Sequence, residues 1–305
     1  MPNRRTVLAS TRDPGFRPLL VLGIGLTVLA CGSAPDSPGA PREAWVDRPV
    51  AEWPDFALSN RVVFEDTTYD YLANAFTVDT GADTVGATCK HLFMVFRNHR
   101  GTTSISLGDD FHDWTLRSSR DPERTVQVRR LINADPDEPI GDFAGIKDRD
   151  WLVFELGERS DGIHPLKIRY TPLERGESIY AVGRNRAQRH DRDPVPSPLR
   201  LFRAFGTHYY VQPLDPDIDP VDTSGSPVID ANGHLVGLVS GAVGRLGVVA
   251  GVEYLRRQLD RYDIPYRTTY PAAEDTGSSH GPTDTHPGHN RADTLRPAAS
   301  DDDSR

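Results

Sequence analysis

The sequence predicts an all-β protein of antiparallel strands, arranged as a sandwich or barrels and finished by one helix. Three observations carry this. Between Trp45 and Thr268 the apolar or alternating segments are short and separated by Gly, Pro, Asn and Asp. Helical spacing is clear only at the end, in "GVEYLRRQLDRY", where Val252, Leu255, Leu259 and Tyr262 share a face. No repeat of solenoid length is present. Many short strands with little helix make a sandwich or barrel the expected architecture.

In chain order, strands are expected at "RVVFE" (61–65), "NAFTVD" (74–79), "KHLFMVF" (90–96), "TVQVRRLI" (125–132), "DWLVFEL" (150–156) and "LKIRY" (166–170). They continue at "SIYAVG" (178–183), "HYYVQPL" (208–214), "SPVID" (226–230) and "HLVGLVSG" (234–241). Asn232-Gly233 supplies a hairpin turn between the last two.

The chain has 305 residues, 26% charged and 37% hydrophobic, enough for one large globular domain or two small ones sharing an interface. A net charge of −9 argues against nucleic-acid binding, which needs a dominant basic face. Arg4, Arg5, Arg12 and Arg17 precede an apolar run, Leu19–Ala30, that is short for a bilayer span and ends in small residues. This reads as an export signal. Val28-Leu29-Ala30-Cys31 resembles a bacterial lipobox, in which Cys31 becomes the lipidated first residue; a plain secretory signal with an incidental cysteine is the alternative. Gly32 after the cysteine does not resemble an inner-membrane retention signal, so an outer-membrane or cell-surface anchor is expected. Cys31 and Cys89 are the only cysteines, so lipidation of one leaves no disulfide.

The expected organisation is therefore a signal and lipobox over 1–31, a flexible Pro/Gly/Ser tether over 32–44, a folded domain over 45–268 and a polar tail over 269–305. His280, His286 and His289 in that tail read as a solvated spacer rather than a metal site. Asp109, Asp110 and Asp113 in "GDDFHD" lack calcium-loop spacing and read as an exposed acidic turn.

Two segments compete for the chemistry. Asp79-Thr80-Gly81-Ala82-Asp83 has the form of an aspartic-protease loop, but that mechanism needs two such loops, each held rigid. The second copy, Asp275-Thr276-Gly277, falls in the polar tail without apolar strands around it. The first is better read as the hairpin turn between "NAFTV" and "TVGATCKH".

The other segment is "DTSGSPVIDANGHLVGLVSG", Asp222 to Gly241, whose Ser224-Gly225-Ser226-Pro227-Val228 resembles the nucleophile segment of trypsin-like serine proteases. A nucleophilic serine needs a tight turn, small neighbours and a strand pair to fix it, all offered here. "GATCKHLF" is similar to the family's Thr-Ala-Ala-His segment, "DRDWLVFEL" to its Asp-x-x-Leu segment, and "RGESIYAVGR" to the strand opening its second barrel. The order His91, Asp150, Ser224 is that of the trypsin-like class, and no Gly-x-Ser-x-Gly elbow occurs. The resemblance covers most of Trp45 to Tyr262.

It implies two six-stranded antiparallel β-barrels of the chymotrypsin type with a C-terminal helix, barrel one over about 45–145 and barrel two over about 155–265. It further implies a serine endopeptidase acting on polypeptides without cofactor or metal: Ser224 as nucleophile, His91 as general base, and Asp150 as the carboxylate that orients it. Asp150 is preferred to Asp148 because it abuts the apolar strand. The oxyanion would meet the backbone N–H groups of Ser224 and Asp222. The specificity pocket would have Ser240, Gly241 and Ala242 in its wall and either Ile218 or Asp219 at its base, favouring small or apolar side chains in the first case and Lys or Arg in the second.

Two residues depart from the pattern. Asp222 stands where the family has Gly, and Thr223 replaces the Asp that pairs with a newly cut N-terminus in zymogen-activated relatives. No Ile-Val-Gly-Gly activation site is present, which agrees with Thr223 in implying activity without such a cut. Asp222 leaves a second expectation open, an inactive trypsin-like lipoprotein that binds peptides or envelope proteins in the same cleft. Cys89 is expected as a small buried residue behind the base, on the same side of an extended chain as His91.

Overall fold

The computed structural model describes residues 41–185, 193–215 and 223–270. The first barrel is built from β1 (Leu58–Phe64), β3 (Asn74–Asp79), β4 (Thr84–Thr88), β5 (Phe111–Ser118), β6 (Thr125–Leu131) and β7 (Leu152–Arg159). The short strands β2 (Thr68–Tyr69) and β8 (Leu166–Lys167) lie at its margins. Around the barrel the order is β1-β5-β6-β7-β4-β3, closed where Leu58 and Ser59 of β1 meet Ala75 and Asn74 of β3. Inward alternation packs Phe76, Trp114, Leu116 and Phe154 out of water.

The second barrel contains β9 (Ser178–Gly183), β10 (Val195–Phe205), β11 (His208–Pro213), β12 (Pro227–Asp230), β13 (Leu235–Val243) and β14 (Leu246–Gly251), closed in the order β10-β11-β14-β13-β12-β9. Ile179, Leu199, Val211, Val228, Val239 and Val249 fill it. Among the described residues three short α-helices accompany the barrels: α1 (Phe93–Arg100), α2 (Phe143–Ile146) and α3 (Val252–Arg261). On α3 the buried residues Val252, Leu255 and Leu259 join the same apolar cluster as the first barrel, so the helix ties the two halves together.

The two-barrel architecture with its C-terminal helix matches expectation, and so do several local features. Asp79–Asp83 is a hairpin turn: Val78 pairs with Val85, Thr80 N–H donates to Asp83 O at 2.9 Å, and Gly81 takes φ +81°. The Asp79 carboxylate accepts from Gly81 N–H at 2.6 Å, so it is committed to the turn. Gly233, at φ +88°, turns β12 into β13.

Four expectations change. "KHLFMVF" is not a strand but a 3₁₀ turn, Lys90–Leu92, running into α1. Phe93 and Phe96 face the core while Arg97, Asn98 and His99 face water, a helical spacing that so short an apolar run leaves ambiguous. β7 closes the first barrel, which therefore extends to Arg159 rather than about 145, and the second begins at Ser178 rather than about 155. "LKIRY" is a strand only over Leu166–Lys167, paired with β3, while Ile168 makes a single bridge to Leu235. Four strands were not foreseen: the short β2, and the barrel strands β5, β10 and β14. In β10, Pro196 and Pro198 pair with β9 alone, and pairing with β11 starts only at Leu199, so neither proline interrupts a central ladder.

Candidate active site

His91 lies in the 3₁₀ turn that follows β4, and Asp150 lies two residues before β7, the strand paired with β4. This pairing brings the two residues together. Asp150 is fully buried, and its Oδ1 accepts from the His91 backbone N–H at 2.8 Å while its Oδ2 meets His91 Nδ1 at 2.7 Å. A carboxylate can only accept, so Nδ1 carries the proton and Nε2 is left as the basic nitrogen. The Ser240 hydroxyl also donates to Asp150 Oδ2. Next to Asp150, the buried Trp151 donates its indole N–H to Ala250 O and Gly251 O at 3.2 and 3.1 Å, pinning this corner to the second barrel.

Burial disfavours the charged His91 ring, but the Asp150 carboxylate and the Cys89 side chain together more than offset this and hold the His91 pKa well above the ordinary histidine value. Cys89 is fully buried and its side chain reaches the ring, although residues 90–92 are helical rather than extended as expected. Asp148, the rival carboxylate, is turned away and pairs with His208 Nδ1 at 2.8 Å.

Ser224 stands at the tight turn before β12 and shares with His91 the wall of a cleft of about 500 Å³. Its segment is fixed from the first barrel by Asn74: the Asn74 backbone N–H donates to Ser224 O at 2.8 Å and its side-chain amide does so at 3.3 Å. The Asn74 carbonyl is in turn held by the Thr88 hydroxyl at 2.6 Å and the Asn60 amide at 3.2 Å, and Asn60 Oδ1 accepts from Trp114 Nε1 at 3.0 Å. Gly225 is required here twice over. Its φ is +79°, and a Cβ would sit 2.1 Å from Asn74 O.

Ser240, Gly241 and Ala242 lie along β13, but the Ser240 hydroxyl serves Asp150 as well as bordering the expected pocket. Phe143 of α2 packs edge-on against His91, ring centroids 5.9 Å apart, and its ring would be 2.6 Å from a Cβ at Gly241. Nothing in the sequence singled out Asn74 or Phe143; a polar residue opening an apolar strand was the only trace of the former. Ile218, Asp219, Asp222, Cys31 and the tail histidines lie outside the described residues. The acidic turn disperses: Asp110 pairs with Arg100, and Asp113 accepts from Gln127 at 2.5 Å. Among the described residues no group of three or more His, Cys, Asp or Glu could hold a metal ion.

Compared with known proteins, residues 74–238, more than half of the chain, match the family described as a trypsin-like peptidase domain. No curated protein matches. Similar solved structures include the active form of the Rv3671c protease from M. tuberculosis, 15% identical over 73% of this chain and 88% of that one, TM-score 0.47. An inactive form of the Rv3671c protease is 15% identical over 74% of this chain and 99% of that one, TM-score 0.44.

Proposed function

The chain belongs to the trypsin-like peptidase domain family and is a serine-type endopeptidase, and we propose that it cleaves peptide bonds through Ser224, His91 and Asp150 with an acyl-enzyme intermediate. The observation that carries this reading is the double grip of the Asp150 carboxylate on His91, backbone and Nδ1, with the same ring and Ser224 sharing one cleft. Ser224 attacks the scissile carbonyl as His91 Nε2 takes its proton, and Asp150 stabilises the imidazolium that forms. His91 returns the proton to the leaving amine, and water then hydrolyses the ester by the reverse exchange. The backbone N–H groups of Ser224 and Asp222 receive the oxyanion, each donor contributing ~2.7–4 kcal/mol to the transition state in comparable sites. Thr223 implies activity without an activating cut.

Hydrolysis of a denatured protein by the purified chain tests this. Ser224→Ala and His91→Ala should each abolish it while leaving the fold intact; cleavage that survives Ser224→Ala refutes the assignment. No observation favours the alternative of a binding module without catalysis.

We further propose that the enzyme works outside the cytoplasm, tethered through a lipid on Cys31, as the arginines, apolar run and lipobox-like Val28–Cys31 suggest. Among the described residues no helix is long and apolar enough to cross a membrane. Globomycin-sensitive processing followed by membrane fractionation tests the tether; a soluble, unlipidated product contradicts it.

A further inference from the structure

We infer that Glu138 is a positioning residue for the triad: its carboxylate spans Lys90 and Arg149, the residues immediately before His91 and Asp150, and fixes the two loops that carry them relative to each other. The inference rests on the reading of His91 and Asp150 given above. Glu138 Oε2 lies 2.9 Å from Lys90 Nζ, and Glu138 Oε1 lies 2.7 Å from Arg149 Nη1. Each carboxylate oxygen therefore serves one loop.

The tie falls where the backbone ladder gives out. β4 and β7 pair as far as Thr88 and Leu152, and the bond beyond them, Lys90 N–H to Asp150 O, has lengthened to 3.3 Å. His91 sits in its 3₁₀ turn, and Asp150, at φ −81° and ψ +37°, ends a second one, Lys147–Arg149. Sheet pairing thus stops short of both side chains. The loop that supplies Glu138 is itself anchored: Ile105 N–H donates to Glu138 O at 3.0 Å, and the Asn133 amide bonds Trp151 O at 2.7 Å and Val153 N–H at 2.9 Å. Lys90 Nζ also donates to Asn133 O at 3.1 Å, so the buried ammonium has two fixed acceptors on one loop.

A buried ion pair adds little stability over apolar groups of the same volume. What this one adds is geometry, because two charge-assisted bonds to one planar carboxylate constrain both loops at once. Lys90 also stands where the Thr-Ala-Ala-His segment that it resembles has Ala, a side chain too short to make the tie.

The experiment breaks the bridge at either end. Lys90→Met and Arg149→Met keep an apolar stem and remove one charge each, while Glu138→Gln keeps the shape and loses one acceptor. On a peptide substrate kcat should fall about tenfold in each with KM unchanged, the cost of a slightly misplaced reacting group. Lys90→Met/Arg149→Met should lose no more than either single variant, because a bridge broken at one end no longer ties the loops. Urea melts establish that each variant is folded under assay conditions, and the two Met variants decide the matter where Glu138→Gln does not fold. Parent-like kcat in both Met variants overturns the inference and leaves the proposed function standing. So do losses that multiply to about a hundredfold in the double variant, since the two cations then act separately. A raised KM at constant kcat overturns it too. Cleavage by the parent that survives Ser224→Ala overturns instead the triad reading on which the inference rests.

Discussion

Asn74 and Arg184, on different barrels, are joined through both ends of one side-chain amide: Asn74 Oδ1 accepts from Arg184 N–H at 3.0 Å and Nδ2 donates to Arg184 O at 3.0 Å. The amide thus behaves as an added strand residue, and the same Nδ2 also reaches Ser224 O. Asn74 is buried, so these bonds have no competition from water. Asn74→Ala should lower stability by about 1–3 kcal/mol, read from urea melts, because two bonds between the Asn74 amide and the Arg184 backbone are lost. It should also slow fluorophosphonate labelling more than the change in global stability predicts, since Ser224 O loses its bond from the Asn74 amide.

Asp150→Asn should lower kcat by roughly 10⁴-fold, as in other triads where the amide favours the wrong histidine tautomer. Ser240→Ala should cost far less, because Asp150 retains both bonds to His91 and loses only one donor of three. Steady-state kinetics on a peptide substrate separates the two.

The raised His91 pKa predicts the pH profile. Only the neutral ring can accept the serine proton, so kcat/KM should fall as pH drops, with a midpoint above the ordinary histidine value of about 6.5. The linked stability runs the other way: the charged His91–Asp150 pair stabilises the fold fully below the unfolded pKa, and this is lost as pH rises through the folded one. Melting temperature and kcat/KM measured over the same pH range check both signs.

Lys90 is 2% exposed, with Nζ 2.9 Å from Glu138 Oε2 and 3.1 Å from Asn133 O. Burial lowers its pKa and Glu138 opposes that shift. Removing Glu138 leaves a buried ammonium without its counterion, so Glu138→Ala should destabilise by about 3–5 kcal/mol at neutral pH. Stability should recover as pH rises, because the unfolded lysine then holds more protons than the folded one. Lys90→Met should be milder, as Glu138 still binds Arg149 at 2.7 Å.

Gly241 and Phe143 should couple. A methyl at Gly241 would meet the Phe143 ring at 2.6 Å, and Phe143 braces His91, so Gly241→Ala should displace the ring and lower kcat/KM. In Phe143→Ala/Gly241→Ala the clash is gone, and the second substitution should cost less than it does alone.

Much of the site was legible because its residues sit in short local patterns with mechanical reasons: a serine followed by glycine and then proline at a tight turn, and an aspartate at the mouth of an apolar strand. The two-barrel fold followed from the resemblance those patterns carry, while alternation and turn residues by themselves reached only sandwich or barrel. What escaped depends on contacts between distant segments. Asn74 matters through Arg184 and Ser224, on the other barrel, and Phe143 through His91 and Gly241. α1 was misread because Phe93 and Phe96 belong to an apolar run too short to fix its period, and β10 was missed because its prolines sit where only one neighbour pairs.

The central claim is that Ser224 is made nucleophilic by His91 and Asp150. The most direct test is intact and peptide mass spectrometry after treatment with a fluorophosphonate. The account predicts one adduct per chain, on Ser224, absent from Ser224→Ala and strongly reduced in Asp150→Asn. A folded protein that gains no adduct, or gains it on another residue, would contradict the account.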